Sequence, residues 1–294
     1  MGGIWCSLNR PDLSEKEADV VVFGIPYDEA VSFRKGAAEA PRVLRANTLP
    51  TPPATESGAN LTPLKVYDAG DFVEKDREKL FDEIENYVYG LVKSGVFFTG
   101  IGGDHSVTIP IEAGISKALG GQFGIIHIDA HPDLCDTIGG DKYSHGCVQR
   151  RAFEFEHMGN MDNFCFIGIR SFELDEIEFI KEHKVNIITA KQIFSEGIKS
   201  VAMSVIEKMK RFPNIYLTVD IDCLDPAYAA GTGTPQFGGL SARELLYLLE
   251  EFFRNLNVIG FDVVEVAPEL DHSLTSVFAA RKIITECWGY RYGK

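Results

Sequence analysis

The chain has 294 residues, of which 45% are hydrophobic and 24% charged, and its formal net charge is −14 at pH 7. This composition is typical of a soluble globular enzyme, and the acidic balance argues against a nucleic-acid partner, because phosphate binding requires a basic surface. A negative chain is compatible with a small cationic substrate. No apolar run approaches the roughly 20 residues of a bilayer span, so we expect no membrane partner.

The N-terminal segment and the cysteines predict a cytoplasmic protein. No basic region followed by an apolar run occurs at the N-terminus, so we expect no signal peptide. The six cysteines are scattered and form no CxxC pair; they are Cys6, Cys135, Cys147, Cys165, Cys223 and Cys287. This distribution indicates reduced thiols and not disulfides or a zinc knuckle.

Short apolar runs predict the strands of a sheet. In chain order they are residues 20–25, 96–99, 123–129, 164–169, 185–189, 215–221 and 258–265. Because these runs are apolar nearly throughout and do not alternate with polar residues, they are typical of parallel strands that are covered on both faces.

Amphipathic helices are predicted between the strands. One carries an apolar stripe at spacings of three and four residues, made of Leu80, Ile84, Tyr87, Val88 and Leu91. A second begins with a capping box, Ser241 and Glu244. Because strands and helices alternate without a linker, we predict a single domain over residues 1–294, with a three-layer α/β/α fold and a mostly parallel sheet. Such sheets bind ligands at the carboxyl ends of their strands.

Polar motifs follow four of the predicted strands. They are Gly102-Gly103-Asp104-His105, Asp129-Ala130-His131-Pro132-Asp133, Asp220-Ile221-Asp222 and Asp262-Val263-Val264-Glu265. Side chains two residues apart in an extended segment point the same way, so those of one motif can converge. Acids and imidazoles crowded at one end of a sheet would repel and desolvate one another without cations. We therefore predict a metal site formed by His105, Asp129, His131, Asp133, Asp220 and Asp222.

The type of ligand indicates which metal binds. Oxygen-rich ligation with two histidines and no thiolate suits a hard ion such as Mn²⁺ better than structural zinc. Six ligands are too many for one ordinary site and suit a pair of ions roughly 3.5–4 Å apart. We interpret Asp225, before Pro226, as a turn residue and His127 as a buried core histidine.

These motifs, with residues 231–235 and 260–268, make the sequence similar to the ureohydrolase family, the arginase and agmatinase group of binuclear manganese hydrolases. An N-terminal match at residues 24–28, 33–36 and 41–45 extends the resemblance over nearly the whole chain. The resemblance implies an arginase-like sheet of about eight strands, two Mn²⁺ per chain and a homo-oligomer, either a trimer or a hexamer.

The resemblance also implies a role for each residue. One ion would be bound by His105, Asp129, Asp133 and Asp220, and the other by Asp129, His131, Asp220 and Asp222. A bridging hydroxide would attack the guanidinium carbon. Asp133 would accept the hydroxide's proton or hydrogen bond, His145 would shuttle a proton to the leaving amine, and Glu265 would pair with the guanidinium.

Within the family, the sequence is most similar to agmatinases. Arginases have an asparagine two residues after the last aspartate of the DAHxD motif, where it helps read the amino-acid carboxylate, and Cys135 stands there in this chain. Pro132 also departs from the family pattern and removes a backbone donor, but it removes no ligand. The resemblance implies hydrolysis of agmatine to putrescine and urea, with guanidinobutyrate, guanidinopropionate or another linear guanidine as alternatives. The loops at 28–36 and 134–146 would read the substrate's tail.

A nucleotide-binding module is the alternative from a different class. The segment Gly100-Ile101-Gly102-Gly103 follows a strand, but His105 stands where a dinucleotide loop needs its third glycine. A non-catalytic member of the family is a further alternative, which the presence of all six ligands disfavours.

Overall fold

A parallel sheet of eight strands runs through the described part of the chain. A computed structural model describes residues 3–49, 52–120 and 123–293. The strands are β1 (Val20–Gly24), β2 (Val66–Asp71), β3 (Phe97–Ile101), β4 (Gly124–Ile128), β5 (Phe164–Ile169), β6 (Ile187–Thr189), β7 (Ile215–Asp220) and β8 (Val258–Val264). Their order is β2-β1-β3-β8-β7-β4-β5-β6, and every neighbouring pair is parallel. The predicted α/β fold is confirmed.

Helices cover both faces of this sheet. They are α1 (Ala40–Ala46), α2 (Arg77–Lys93), α3 (Thr108–Leu119), α4 (Val148–Phe153), α5 (Leu174–Glu182), α6 (Ala190–Glu196), α7 (Ile198–Met209), α8 (Ala242–Asn255) and α9 (Thr275–Tyr292). Alternate residues of β1 show the layering: Val20 and Val22 pack in one core with α7 to α9, while Val21 and Phe23 pack in the other with α2 and α3. The three-layer architecture follows from this alternation.

Two helices begin and pack as their sequences predict. Helix α8 starts with the expected capping box, in which the Ser241 N–H donates to Glu244 Oε2 at 2.8 Å and the Glu244 N–H donates to Ser241 Oγ at 3.2 Å. Helix α2 buries Leu80, Ile84 and Val88 on one side. None of the described helices has both the length and the hydrophobicity that a membrane span requires.

Strand β2 is the one strand of the described chain that the apolar runs do not predict. It lies at the edge of the sheet and is largely half-buried or exposed. Its Asp68 accepts hydrogen bonds from the guanidinium of Arg45 on α1, at 2.7 Å from Nε and 2.9 Å from Nη2. An edge strand covered by an ion pair does not need a continuous apolar run. The interpretation of residues 1–294 as one domain stays a prediction.

The sheet order determines where the polar motifs meet. Strands β3, β8, β7 and β4 are consecutive neighbours at the centre of the sheet. Because all four are parallel, their carboxyl ends lie at one edge, and each of the four polar motifs begins there or within the last residues of its strand. All six cysteines are buried and unpaired.

Candidate metal centre

The GGDH segment brings His105 to the end of β3. Gly103 is needed because a Cβ there would lie 1.8 Å from the carbonyl oxygen of Tyr27. The Asp104 N–H donates to that same oxygen at 2.8 Å, and the Asp104 carboxylate accepts from the Ser106 N–H at 3.0 Å, which caps the short turn that starts at His105. Hydrogen bonds at Asp104 and Ser106 therefore hold the loop in place on both sides of His105.

His105 Nδ1 faces three carboxylates. It lies 3.1 Å from Asp129 Oδ2, 3.1 Å from Asp133 Oδ2 and 3.4 Å from Asp220 Oδ2. The other ring nitrogen, Nε2, lies 2.8 Å from the hydroxyl of Thr218 on β7, which fixes the ring orientation. His105 Nδ1 and Asp129 Oδ2 are buried, and within the described ranges neither atom has a hydrogen-bond partner. A buried nitrogen and a buried oxygen whose lone pairs have no hydrogen-bond partner are suited to bind a metal ion.

His131 forms the second part of the cluster. Its Nδ1 lies 3.2 Å from Asp222 Oδ2 and 3.5 Å from Asp129 Oδ1. Asp222 Oδ1 accepts from the Ala130 N–H at 3.1 Å, so the carboxylate is oriented with Oδ2 towards the imidazole. The ligand atoms of His105, His127, Asp129 and Asp133 lie within 4.8 Å of one another, as do those of Asp129, His131 and Asp222. The two groups share Asp129, as a pair of ions with a bridging carboxylate would require.

His127 lies against the cluster without the geometry of a ligand. Its ring stacks on that of His105, with centroids 5.0 Å apart. Its Nε2 lies 2.9 Å from the carbonyl oxygen of His131, and because a carbonyl only accepts, this nitrogen carries a proton. A protonated nitrogen does not bind metal. The contact favours the interpretation of His127 as a core histidine that supports the site, and the same nitrogen is 3.0 Å from Asp129 Oδ2.

The carboxylates of the cluster compete for positive charge. Burial and then the neighbouring acids Asp222 and Asp129 raise the pKa of Asp220 well above its usual range. Burial alone would raise the pKa of Asp129. The charge of His127 and the hydrogen bonds from His105, His127 and His131 have the larger effect, so the pKa of Asp129 lies well below its usual range. Burial lowers the pKa of His131, yet Asp222 and Asp129 outweigh it and raise it to about 12. Divalent cations would let every carboxylate ionise while the imidazoles stay neutral.

His145 and Glu265 form a second unit beside the cluster. His145 Nδ1 lies 2.9 Å from Glu265 Oε1, which also accepts from the His105 N–H at 2.9 Å. Glu265 Oε2 is buried and has no hydrogen-bond partner among the described residues. Burial lowers the pKa of His145, but the hydrogen bond and charge of Glu265 outweigh it and raise the pKa to about 9. The Glu265 carboxylate therefore favours the protonated form of His145, whereas the Ser32 N–H, which donates to His145 Nε2 at 3.0 Å, favours the neutral form.

Two of the predicted site residues have left-handed backbone conformations. The φ angles of Asp133 and Glu265 are 53° and 62°. Non-glycine residues rarely adopt this region, and where they do, surrounding contacts hold them. The Asp133 carbonyl accepts from the N–H groups of Gln149 and Arg150 at 3.0 and 3.2 Å, and the Glu265 N–H donates to the Gly103 carbonyl at 2.8 Å. Both strained residues carry side chains of the site.

A cavity opens onto the cluster from solvent. Its lining comprises Ser32, His105, His131, Asp133, Cys135, Ile138, His145, Gly146, Ser171, Glu173, Glu176, Asp220, Thr234 and Gln236. The lining includes the glutamates 173 and 176, whereas it contains no lysine or arginine from the described ranges. The cavity wall is therefore acidic beyond the metal ligands.

Arg170, just after β5, joins two of the loops around this cavity. Its guanidinium donates to the carbonyl oxygens of Asp222 at 2.6 Å, Leu224 at 3.2 Å and Gln236 at 2.7 Å. Gln236 Nε2 in turn lies 3.5 Å from His131 Nε2. One cation therefore holds the metal-ligand loop after β7 against the loop that forms a wall of the cavity.

The structure brings together all eight residues that the sequence identified, and it adds others that the sequence did not. Thr218, Ser32, Glu173, Glu176 and Gln236 contact the predicted residues or line the cavity. Only Ser32 lies in a loop that the sequence associated with the substrate. The others are common residue types in positions without a motif, so no signal in the sequence identifies them.

Comparisons with known proteins agree with this geometry. The model of the arginase family matches residues 18–289. An agmatinase of Bacillus subtilis strain 168 is 37% identical over 282 residues, which cover 95% of this chain and 93% of that protein. A guanidinobutyrase of Pseudomonas aeruginosa is 32% identical over 281 residues, which cover 92% of this chain and 86% of that protein.

A solved structure is similar over nearly the same length. The crystal structure of an agmatine ureohydrolase of Thermoplasma volcanium aligns with a TM-score of 0.86 at 32% identity, covering 96% of this chain and 92% of that chain.

Proposed function

This chain belongs to the arginase family, and from that premise we propose that it hydrolyses agmatine to putrescine and urea. The observation that carries the proposal is the cavity, which has the aspartate and histidine cluster at its base and glutamates on its wall. A guanidinium at the base and an ammonium at the wall are the two ends of agmatine.

The cluster suits a pair of Mn²⁺ ions. His105, Asp129, Asp133 and Asp220 would hold one ion, and Asp129, His131, Asp220 and Asp222 the other. Carboxylate oxygens dominate this set, two imidazoles complete it, and it contains no thiolate, which is a donor set suited to manganese. Two such ions, when bound, supply a nucleophile by lowering the pKa of a water molecule towards neutrality.

The remaining steps belong to side chains of the chain itself. Glu265 Oε2 is buried and without a partner in the part of the chain that the structure describes, so it is available to pair with an N–H of the guanidinium. Asp133 borders the cavity beside His105 and can accept a hydrogen bond from the attacking water. His145 has a pKa raised to about 9 by Glu265 against the effect of burial, and it donates a proton to the leaving nitrogen.

The cavity wall favours a cationic tail over a carboxylate tail. Glu173 is exposed at the N-terminus of α5, and Glu176 lies one turn further with its Oε2 accepting from the Leu134 N–H at 3.0 Å. Burial raises the pKa of Glu176 to about 7, so its negative charge is partial at neutral pH. An ammonium beside the two glutamates still gains favourable charge interactions, whereas the carboxylate of guanidinobutyrate would be repelled. The net charge of −14 also favours the approach of a dication.

Guanidinobutyrate hydrolysis is the alternative, because one relative of comparable identity is a guanidinobutyrase. A panel of agmatine, arginine, 4-guanidinobutyrate and 3-guanidinopropionate, assayed for urea with Mn²⁺-loaded protein, separates the candidates. We expect the highest kcat/KM with agmatine. A higher value with guanidinobutyrate would transfer the assignment to that substrate, and urea release from none of the four would contradict the class.

We further propose that the protein forms a trimer or hexamer in the cytoplasm. Several large apolar side chains are exposed, among them Phe194 at 89% and Phe237 at 88%. Exposed apolar side chains of this size are frequent at protein contacts. Light scattering coupled to size-exclusion chromatography measures the assembly directly, and a monomer at micromolar concentration would contradict this part of the proposal.

A further inference from the structure

Ser32 presents two atoms to the same nitrogen of His145. The Ser32 N–H donates to His145 Nε2 at 3.0 Å, and Ser32 Oγ lies 2.8 Å from that nitrogen. The other ring nitrogen, Nδ1, lies 2.9 Å from Glu265 Oε1. Both nitrogens of the imidazole therefore have partners, and they differ in kind.

The two Ser32 atoms suit different protonation states of His145 Nε2. A main-chain N–H can only donate, so it pairs with Nε2 when that nitrogen is unprotonated. A hydroxyl can also accept, so Ser32 Oγ pairs with Nε2 when that nitrogen carries a proton. Glu265 can accept from Nδ1–H in either state. His145 can thus gain and lose a proton at Nε2 without turning its ring.

The loop that carries Ser32 is anchored on both sides. The Ala30 N–H donates to Asp104 Oδ2 at 2.9 Å, and the Ala30 carbonyl accepts from the His145 N–H at 3.1 Å. On the other side, the Arg34 guanidinium donates to the carbonyls of Thr232 and Gly233, both at 3.1 Å. The contact between Ser32 and His145 is therefore built into the site.

Solvent exposure decreases from Ser32 to His145 and from His145 to Glu265. Ser32 is exposed and borders the cavity, the His145 side chain is 11% exposed, and that of Glu265 is 1% exposed. Ser32 is thus an exposed residue whose hydroxyl contacts the imidazole of a nearly buried histidine. A route for protons exists wherever such groups are hydrogen-bonded in series.

We propose that Ser32 is a positioning residue whose hydroxyl exchanges protons between His145 Nε2 and bulk water. The inference rests on the proposed function, in which His145 supplies the proton of the leaving amine. It adds the residue that returns His145 to its protonated form and the ring nitrogen at which this happens.

The proton balance of the reaction requires His145 to regain a proton from solvent in each cycle. A guanidinium and one water yield urea and an alkylammonium with no net change in protons. Within the cycle, the attacking water gives up both of its protons, one to solvent and one through Asp133 to the leaving nitrogen, and that nitrogen takes a second proton from His145 Nε2. The Ser32 hydroxyl then passes its proton to Nε2 and takes one from a hydronium ion or a buffer acid. Both the hydroxyl and the imidazolium are restored.

The charges around His145 support a cationic resting form. The acidic groups that act on it are Glu265, Asp133 and Asp104, and Glu265 has the largest of these effects on its pKa. The raised pKa, about 9, favours uptake of a proton by the neutral His145 that proton donation leaves. A slow exchange route would then limit turnover.

The test compares Ser32→Ala, which keeps the N–H, with Ser32→Thr, which keeps the hydroxyl. In Mn²⁺-loaded enzyme, we expect Ser32→Ala to lower kcat for agmatine roughly tenfold with little change in KM, within the range of proton-transfer effects. Added imidazole buffer should restore kcat, because its acid form can protonate His145 directly. Ser32→Thr should stay within about twofold of the wild type in the same assay.

Ser195→Ala is the matched control, because it removes an exposed serine hydroxyl that donates to the Lys191 carbonyl on α6, away from the residues that line the cavity. It should leave kcat and its response to imidazole unchanged. If kcat of Ser32→Ala equals that of the wild type, or is lowered but unaffected by imidazole, the inference is overturned. Failure of the proposed function is distinguishable, because the wild type itself would then release no urea from agmatine.

A second measurement does not depend on turnover. Diethyl pyrocarbonate modifies unprotonated imidazole, so the pH dependence of His145 modification, followed by peptide mass spectrometry, reports its protonation. Loss of the hydroxyl acceptor in Ser32→Ala should move this profile to lower pH by about half a unit or more, since a hydrogen bond to a charged group is lost. An unchanged profile would overturn the inference.

Discussion

The side chains of His145 and Glu265 are hydrogen-bonded to each other, with His145 Nδ1 2.9 Å from Glu265 Oε1. The sequence assigned them separate roles, proton transfer for the histidine and guanidinium binding for the glutamate. Because one carboxylate oxygen holds the imidazole and the His105 N–H, only the buried Oε2 remains for the substrate. The Glu265 carboxylate therefore serves both roles. One oxygen orients the imidazole of His145, and the other is available to bind the guanidinium that the nucleophile attacks.

Replacement of His145 by Asn should lower turnover while leaving the metal content unchanged. Asparagine has no group that titrates near neutrality, so general acid catalysis is lost, and we expect kcat to fall roughly 10²- to 10⁴-fold. Steady-state urea release and elemental analysis of the same sample measure both quantities. Turnover equal to that of the wild type would refute the role of His145 as a proton shuttle.

Replacement of Asp220 by Ala should abolish metal binding and activity together. Its Oδ2 lies 3.4 Å from His105 Nδ1, and the assignment makes it a ligand of both ions. Titration calorimetry with Mn²⁺ measures the loss, and Asp136→Asn, an exposed acid paired with Arg151, is a control that should bind metal normally. Retention of two ions per chain by the Asp220→Ala variant would be incompatible with a bridging role.

Replacement of Glu173 by Lys should change the preferred substrate. The exposed acid at the cavity wall would become a cation, so the ammonium of agmatine would be repelled and the carboxylate of guanidinobutyrate attracted. Since the position is exposed, we expect a change of roughly three- to tenfold in the ratio of the two kcat/KM values. Glu173→Gln, which removes the charge without reversing it, should give an intermediate ratio. An unaltered ratio in Glu173→Lys would show that Glu173 does not interact with the tail of the substrate.

Replacement of Glu112 by Gln should remove part of the pH dependence of stability. Burial raises the pKa of Glu112 to about 8, against the opposing hydrogen bond from Gln149. Because the folded state holds this proton more tightly, the contribution of Glu112 is favourable below its unfolded pKa of about 4.3 and is lost as pH rises towards 8. The wild type should therefore lose stability relative to Glu112→Gln across this window.

Urea denaturation followed by circular dichroism between pH 5 and 9 measures that difference, which should grow by at most about 1.4 kcal/mol per pH unit. Glu83→Gln, a change at an exposed position of α2, should leave the pH dependence as it is in the wild type. A difference between the wild type and Glu112→Gln that is the same at every pH would contradict the assignment of a raised pKa.

Most of the fold is predictable from the sequence, because buried parallel strands require continuous apolar runs. Phe164–Ile169 is one such run, and it became β5 with every residue buried. Val66–Asp71 escaped prediction because β2 has a neighbour on one side only and fully buries only Val66. A run of apolar residues predicts a strand only where the strand is buried, and most residues of β2 are not buried.

The candidate site is predictable only as far as its motifs extend. The DAHxD and DxD segments place acids at strand ends, so the cluster follows once those strands are known to be neighbours. Ser32 is different, because its contact with His145 joins residues 113 positions apart through ordinary serine chemistry. Nothing in a single sequence distinguishes that serine from one that only faces solvent.

The aspartate and histidine cluster should bind two divalent ions, and anomalous scattering can locate both of them. Crystals grown with Mn²⁺ should give two anomalous difference peaks at the manganese absorption edge, roughly 3.5–4 Å apart. Both peaks should lie within coordinating distance of Asp129 and Asp220. A cluster without any peak, or a single peak that neither aspartate contacts, would contradict this prediction.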